Sequence, residues 1–215
     1  MFAYCENNPT ICTDSDGHSP FQVLYSLWKL FKSLLGEETN TFFSNSEISV
    51  TVSPDSVVFE VYMTFDGDIA KEELEHGITD YWNGTYDIAG KTRTVSINIH
   101  SGSTKDGRSI YVHSFNDNGR SNTTSTWRGA ETTTVTMYQR YEKGEAKNVR
   151  WSMAHEFGHC LGVGDYYKYV DSGIPGYKRS FLSIMNGIGT HAQSCDIIKA
   201  ILASALGQWQ TWSPE

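Results

Sequence analysis

The order of the periodic segments predicts an α+β or mixed-sheet domain flanked by helices. The order is helix, strands, helix, strands, helix, loop, helix, with the strands rich in β-branched and aromatic residues. The 215 residues are 39% hydrophobic, with six Trp, twelve Tyr and ten Phe, enough for one core of ordinary size. Residues 1–18, rich in Asn, Asp, Thr, Gly and Pro, show no period and read as a tail, which leaves residues 19–215 as the domain.

The elements follow in order. Ser19, Pro20 and Gln22 form a helix start, and Phe21, Leu24, Tyr25, Leu27, Trp28, Phe31, Leu34 and Leu35 make an apolar stripe expected to pack on the domain, with Gln22, Ser26, Lys29 and Ser33 opposite and Gly36 at the end. Residues 47–65 hold two strand-like runs around Ser53-Pro54-Asp55. Asp68 is the expected cap of a helix reaching Trp82, with Gly77 inside it at a cost of about 1 kcal/mol relative to Ala. Strands are expected over 92–100, 108–115 and 131–141, with a polar loop over 116–126 between the last two. Helices over 148–161 and 194–206 close the chain, separated by an irregular Gly/Tyr-rich segment.

A net charge of −8 and a pI near 5.3 argue against nucleic acid as a partner. No apolar run approaches a membrane span, and Met1 to Glu6 lack the basic start of a signal peptide, so no membrane partner is expected and any export depends on a larger protein. Four cysteines are too few for a disulfide scaffold. Cys160 and Cys195 are expected as free thiols, with a bridge between them as the alternative.

The chemistry concentrates in residues 151–167, WSMAHEFGHCLGVGDYY. His155 and His159 are four apart, so a helix projects both from one face, one turn apart, where they can share one ion. Zinc suits two imidazoles, and a catalytic site adds a third protein ligand and keeps one position open. Glu156, beside the first His, can reach a water at the metal without ligating it. Gly162 falls where the helix must reverse, and the chain can then bring Asp165 back as third ligand. Asp171 and His191 are the rivals, each weaker on spacing.

His155 to Asp165 resembles the zinc signature of the metzincin metallopeptidases, in the Asp variant of snapalysin-type enzymes. Ser183-Ile184-Met185-Asn186-Gly187 is similar to the Met-turn of that family, with Asn186 where many members carry Tyr. The resemblance implies a metzincin-like sheet with an active-site helix, Met185 below the metal, a C-terminal helix and an extended substrate paired to an edge strand between 108 and 141. It also implies a zinc endopeptidase with a protein or peptide substrate.

Residues 2–17 resemble the end of the core in Rhs-type (YD-repeat) polymorphic toxins, through Phe2, Tyr4, Asn7, Asn8, Pro9, Asp14 and Gly17, with Ser15 in place of the usual Pro. That resemblance implies a toxin module delivered as part of a larger protein and opposed by an immunity protein. The alternatives are a secreted nutritive or processing peptidase, and an interaction module whose structural zinc is closed by His191 or Cys195.

Overall fold

The structure, a computed structural model, describes residues 20–45, 47–165, 183–185 and 190–210. The tail, Ser19, the Gly/Tyr-rich segment with Asp171, and Asn186 lie outside the described residues.

The chain runs α1 (Pro20–Leu35), β1 (Asn40–Asn45), β2 (Ile48–Val52), β3 (Ser56–Gly67), α2 (Lys71–Trp82), β4 (Gly84–Ile88), β5 (Lys91–Ser101), β6 (Ile110–Asn118) and β7 (Asn122–Thr124). It continues through a 3-10 turn (Thr126–Arg128), β8 (Thr134–Arg140), α3 (Val149–Cys160) and α4 (Ser194–Leu206). The eight strands form one sheet in the order β1-β2-β3-β6-β8-β7, and the β4-β5 hairpin joins it at β3. The long strand β3 divides its length: Ser56 to Met63 pair in parallel with β5, and Met63 to Gly67 in parallel with β6. Antiparallel β1, β2 and β7 finish the two ends. The architecture is therefore a mixed sheet with four helices among the described residues, the α+β class that the sequence predicts.

The strands alternate buried and half-buried positions, as one covered face requires: Val57, Phe59, Val61 and Met63 of β3 are all buried. Three strands were not legible. β1 and β4 are short and polar, NTFFSN and GTYDI, and their pairing partners rather than their composition make them strands. Part of the expected loop over 116–126 is β7, three residues held on β8.

Two helix expectations need correction. Helix α2 starts at Lys71 after Ala70 and has no side-chain cap, because the Asp68 carboxylate instead accepts from Asn116 N at 3.1 Å. Helix α1 buries little of its expected stripe, of which Leu34 packs against the core and the side chain of Phe21 lies outside the described residues. Leu30 and Ser33 face inward, while Leu24, Tyr25, Leu27, Trp28, Phe31 and Leu35 face out. The cause is polar. Asn40 Nδ2 donates to Ser33 Oγ at 2.9 Å, and buried Arg93 donates to Ser33 O at 3.1 Å, Leu34 O at 2.6 Å and Ser53 O at 3.0 Å. Lys91 Nζ adds a bond to Leu35 O. The helix is thus clamped by the carbonyls of its last turn, where a cation is favoured by the helix dipole.

Gly77 turns out to be a contact point. A Cβ there would lie 2.7 Å from Arg150 O and 2.9 Å from Arg150 Cα, because α2 and α3 touch backbone to backbone. Gly77→Ala should therefore destabilise the fold by about 1–3 kcal/mol through overpacking, outweighing the ~1 kcal/mol that helix propensity favours. Urea denaturation decides the sign, and a stabilised variant would contradict this packing.

Candidate metal centre

Helix α3 begins at a cap, Asn148 Oδ1 accepting from Trp151 N at 3.0 Å. Nearly every residue from Trp151 to Cys160 is buried. Indole donors fix it on two sides, Trp82 Nε1 to Ala154 O and Trp127 Nε1 to Cys160 O, each at 2.8 Å.

The helix ends where the sequence demands. Gly162 takes φ +84°, its N–H returns to His159 O at 3.1 Å, and the chain turns back so that Asp165 faces the helix. Asp165 Oδ1 lies 3.3 Å from His155 Nε2 and 3.1 Å from His159 Nε2. Each imidazole donates its other nitrogen to a carbonyl: His155 Nδ1 to Ile184 O at 2.9 Å and His159 Nδ1 to Val163 O at 2.8 Å. In the neutral rings both Nε2 atoms then carry lone pairs, aimed with a carboxylate oxygen at one point. Such a set fits a metal cation and has its ring orientations already fixed by the outer carbonyls.

His155, His159 and Asp165 form a group that can hold a metal ion. Burial alone would depress the His155 imidazole, but the Asp165 hydrogen bond, the Glu156 charge and the Ile184 carbonyl outweigh it and raise its pKa above the ordinary value. A proton and a metal therefore compete for the same nitrogen.

The chain matches no protein-family model and no curated protein. Asp171 lies outside the described residues. His191 is exposed and stacks on Tyr81, ring centroids 4.7 Å apart, and it does not join the three converging groups. Cys160 and Cys195 are free; burial pushes the Cys160 thiol far above its ordinary value and the Cys195 thiol up to about 12, so neither is a ready thiolate.

Met185 lies directly under the helix. A Cβ at Gly158 would sit 2.3 Å from Met185 Sδ, so only glycine admits the methionine there. The turn that carries Met185 is ordered from α4: Asp196 Oδ1 accepts from Ser183 Oγ at 2.7 Å, and Ser183 Oγ accepts from Met185 N at 3.0 Å. Between those residues sits Ile184, whose carbonyl holds His155. Asp196 Oδ2 also accepts from Gln193 N at 2.8 Å.

The site opens into a cleft of about 1160 Å³ that includes Asn122, Thr123, Glu156 and Trp209 in its wall. Glu156 is buried there, and Thr123 Oγ1 on β7 donates to its Oε2 at 2.8 Å. Indoles flank the imidazoles, with Trp151 stacked on His155 at 5.2 Å and Trp209 on His159 at 5.8 Å. Sequence reasoning assigned no role to Thr123, Trp151, Asp196 or Trp209, and named Ser183 only as part of the Met-turn resemblance. Asp196 left a local trace, an acid at the third position of a helix, and Trp151 lies one helical turn before His155, whereas Thr123 and Trp209 reach the site by contacts far apart in the chain.

Burial raises Asp196 to about 6, with the Ser183 and Gln193 hydrogen bonds opposing it. The folded state thus binds a proton that the unfolded state releases near pH 4, and the stability from this group is full below that pH and lost as pH rises through 6. Denaturation between pH 4 and 7 should show wild type losing about 2–3 kcal/mol relative to Asp196→Asn across that window. Parallel profiles for the two proteins would contradict a buried, charged Asp196.

Proposed function

We propose that this protein is a zinc-dependent endopeptidase in which His155, His159 and Asp165 hold the metal and Glu156 is the general base. The observation that supports it best is the convergence of those three ligand atoms in an open cleft whose wall contains a second, non-ligating carboxylate. The ligand types favour zinc, and neither His191 nor Cys195 joins the group to close a fourth position, which favours a catalytic over a structural site.

Zinc bound here supplies a Lewis acid for the scissile carbonyl and lowers the pKa of a neighbouring water. Glu156 takes the proton of that water. Thr123 donates to Oε2 and so fixes the orientation of the carboxylate. The water oxygen bonds to the carbonyl carbon, the C–N bond breaks, and Glu156 returns the proton to the leaving amine. Among the described residues β7 pairs only with β8, so its outer edge can take an extended peptide by strand addition. One strand then supports both the base and the substrate.

The biological setting we propose is the C-terminal toxin of a larger Rhs-type protein with a dedicated immunity protein, a reading that rests on residues 2–17. No helix among the described residues is long and apolar enough to cross a membrane.

Glu156→Gln should keep one zinc per chain and lose about 10²- to 10⁴-fold in turnover. His155→Ala or Asp165→Ala should lose zinc and activity together. Metal analysis and sequencing of new termini in a denatured bacterial proteome read both effects, and undiminished cleavage by the Gln variant would remove Glu156 from its role. In a bacterial cytoplasm the wild type should arrest growth and Glu156→Gln should not; equal growth despite activity in vitro would refute the intracellular toxin.

Thr123→Val should lower kcat about tenfold, the order expected for a misplaced base, with little change in KM, and Thr123→Ser should restore it. Equal kcat in the Val variant would show that the hydroxyl does not position Glu156.

A further inference from the structure

Helix α1 is the one place where the described chain turns a continuous row of large apolar side chains to the outside. Seven large hydrophobic residues are exposed in the described protein, and six belong to this helix, from 38% for Leu27 to 63% for Leu24. Scattered exposed leucines need no explanation, but a row on one rigid element does.

The row is rigidly presented. Arg93, itself buried, and Lys91 bind the carbonyls of the last turn, and Asn40 holds Ser33, so the outward direction of the apolar face is built into the fold.

Its spacing names the shape of the occupant. Leu24, Trp28, Phe31 and Leu35 follow steps of four, three and four, the alternation of a coiled-coil seam, and Phe21 continues it in the sequence by one further step of three. A seam of that period fits another helix lying alongside. At roughly 200 Å² per large side chain, the six exposures correspond to about 600 Å² on one chain. Self-pairing would bury at most about 1,200 Å² in total, which reaches the lower end of stable interfaces when Tyr25 and Leu27 flank the seam within the contact. Tyr25, Trp28 and Phe31 are residue types that dominate such contacts.

Charge disfavours an anionic membrane as the occupant. The chain carries −8, the helix offers only Lys29 and Lys32, and Lys32 is already paired with Glu38 at 2.7 Å. Both ammonium groups lie over rings of the same face, Lys29 over Tyr25 and Lys32 over Trp28. Both lysines fall in the second half of the helix. A parallel pair would bring all four of them together in register, whereas an antiparallel pair centred on the seam separates the two Lys32 groups along the axis and leaves only the Lys29 groups near it.

We propose that α1 is a dimerisation helix, packing antiparallel on α1 of a second copy through Leu24, Trp28, Phe31 and Leu35 about a two-fold axis. The helix sits on β1, β2 and α4, whereas the cleft includes β7 at the other end of the sheet, so pairing leaves the cleft open.

Sedimentation equilibrium of the full chain over about 1–100 µM tests this, a range that brackets the affinity of modest interfaces. Wild type and Phe31→Leu, which keeps the seam apolar, should both show a monomer–dimer equilibrium. Trp28→Glu with Phe31→Glu should weaken it at least about 100-fold, with unchanged circular dichroism because both side chains are exposed and a thermal midpoint that no longer depends on protein concentration. A wild type monomeric at the highest concentration would overturn the proposal. So would a dimer that survives the double substitution, or a monomer that binds phosphatidylglycerol vesicles through this helix. None of these outcomes depends on peptidase activity.

Discussion

Two imidazole nitrogens and one carboxylate oxygen aim at a single buried point, and that convergence sets the demands on everything around it. Acceptors facing acceptors in a poorly solvated site repel unless positive charge lies between them. The positions of His155, His159 and Asp165 therefore have to be imposed by surroundings stiff enough to hold them. A solvent-exposed helix would let the side chains turn away. Helix α3 is instead buried along nearly its whole length and fixed by hydrogen bonds to its carbonyls from Trp82 and Trp127.

The support arrives from segments distant in sequence. On one side Asp196 orders Ser183, and the same short turn places Met185 against Gly158 and the Ile184 carbonyl on His155. On the other, Gln210 N donates to Gly162 O at 2.8 Å and accepts at its own carbonyl from Gly164 N at 2.9 Å. These bonds fix the reversal that returns Asp165 and bring Trp209 onto His159. The proposed base is held from a third direction by Thr123 of the terminal strand. Buried polar chains of this kind orient their end groups only while every member is satisfied, which ties the proposed chemistry to the integrity of α4 and β7 as well as to α3.

Legibility followed the range of the forces involved. Helical periods and caps are local, so α3 and α4 appear in the sequence within a residue or two of their observed ends, and the spacing from His155 to Asp165 was readable because a helix and one glycine turn generate it. β1, β4 and β7 were not readable: each is short and polar, and exists because a neighbour pairs with it. The apolar stripe of α1 was visible, but its direction was not. Periodicity reports that a face exists, while Arg93, some sixty residues away, decides which face turns inward. Gly77 read as a propensity defect and is a helix crossing. The residues around the candidate site that escaped, Thr123 and Trp209 above all, carry no local signal because they act only across long loops of chain.

X-ray absorption at the zinc edge of the zinc-loaded protein tests the proposed centre most directly. The expected spectrum contains nitrogen and oxygen neighbours at about 2.0–2.2 Å, with two imidazoles, a carboxylate and an exchangeable position that takes up a hydroxamate. A sulfur neighbour near ~2.3 Å, or a closed set of four protein ligands that no added ligand perturbs, would mark a structural zinc and contradict the account.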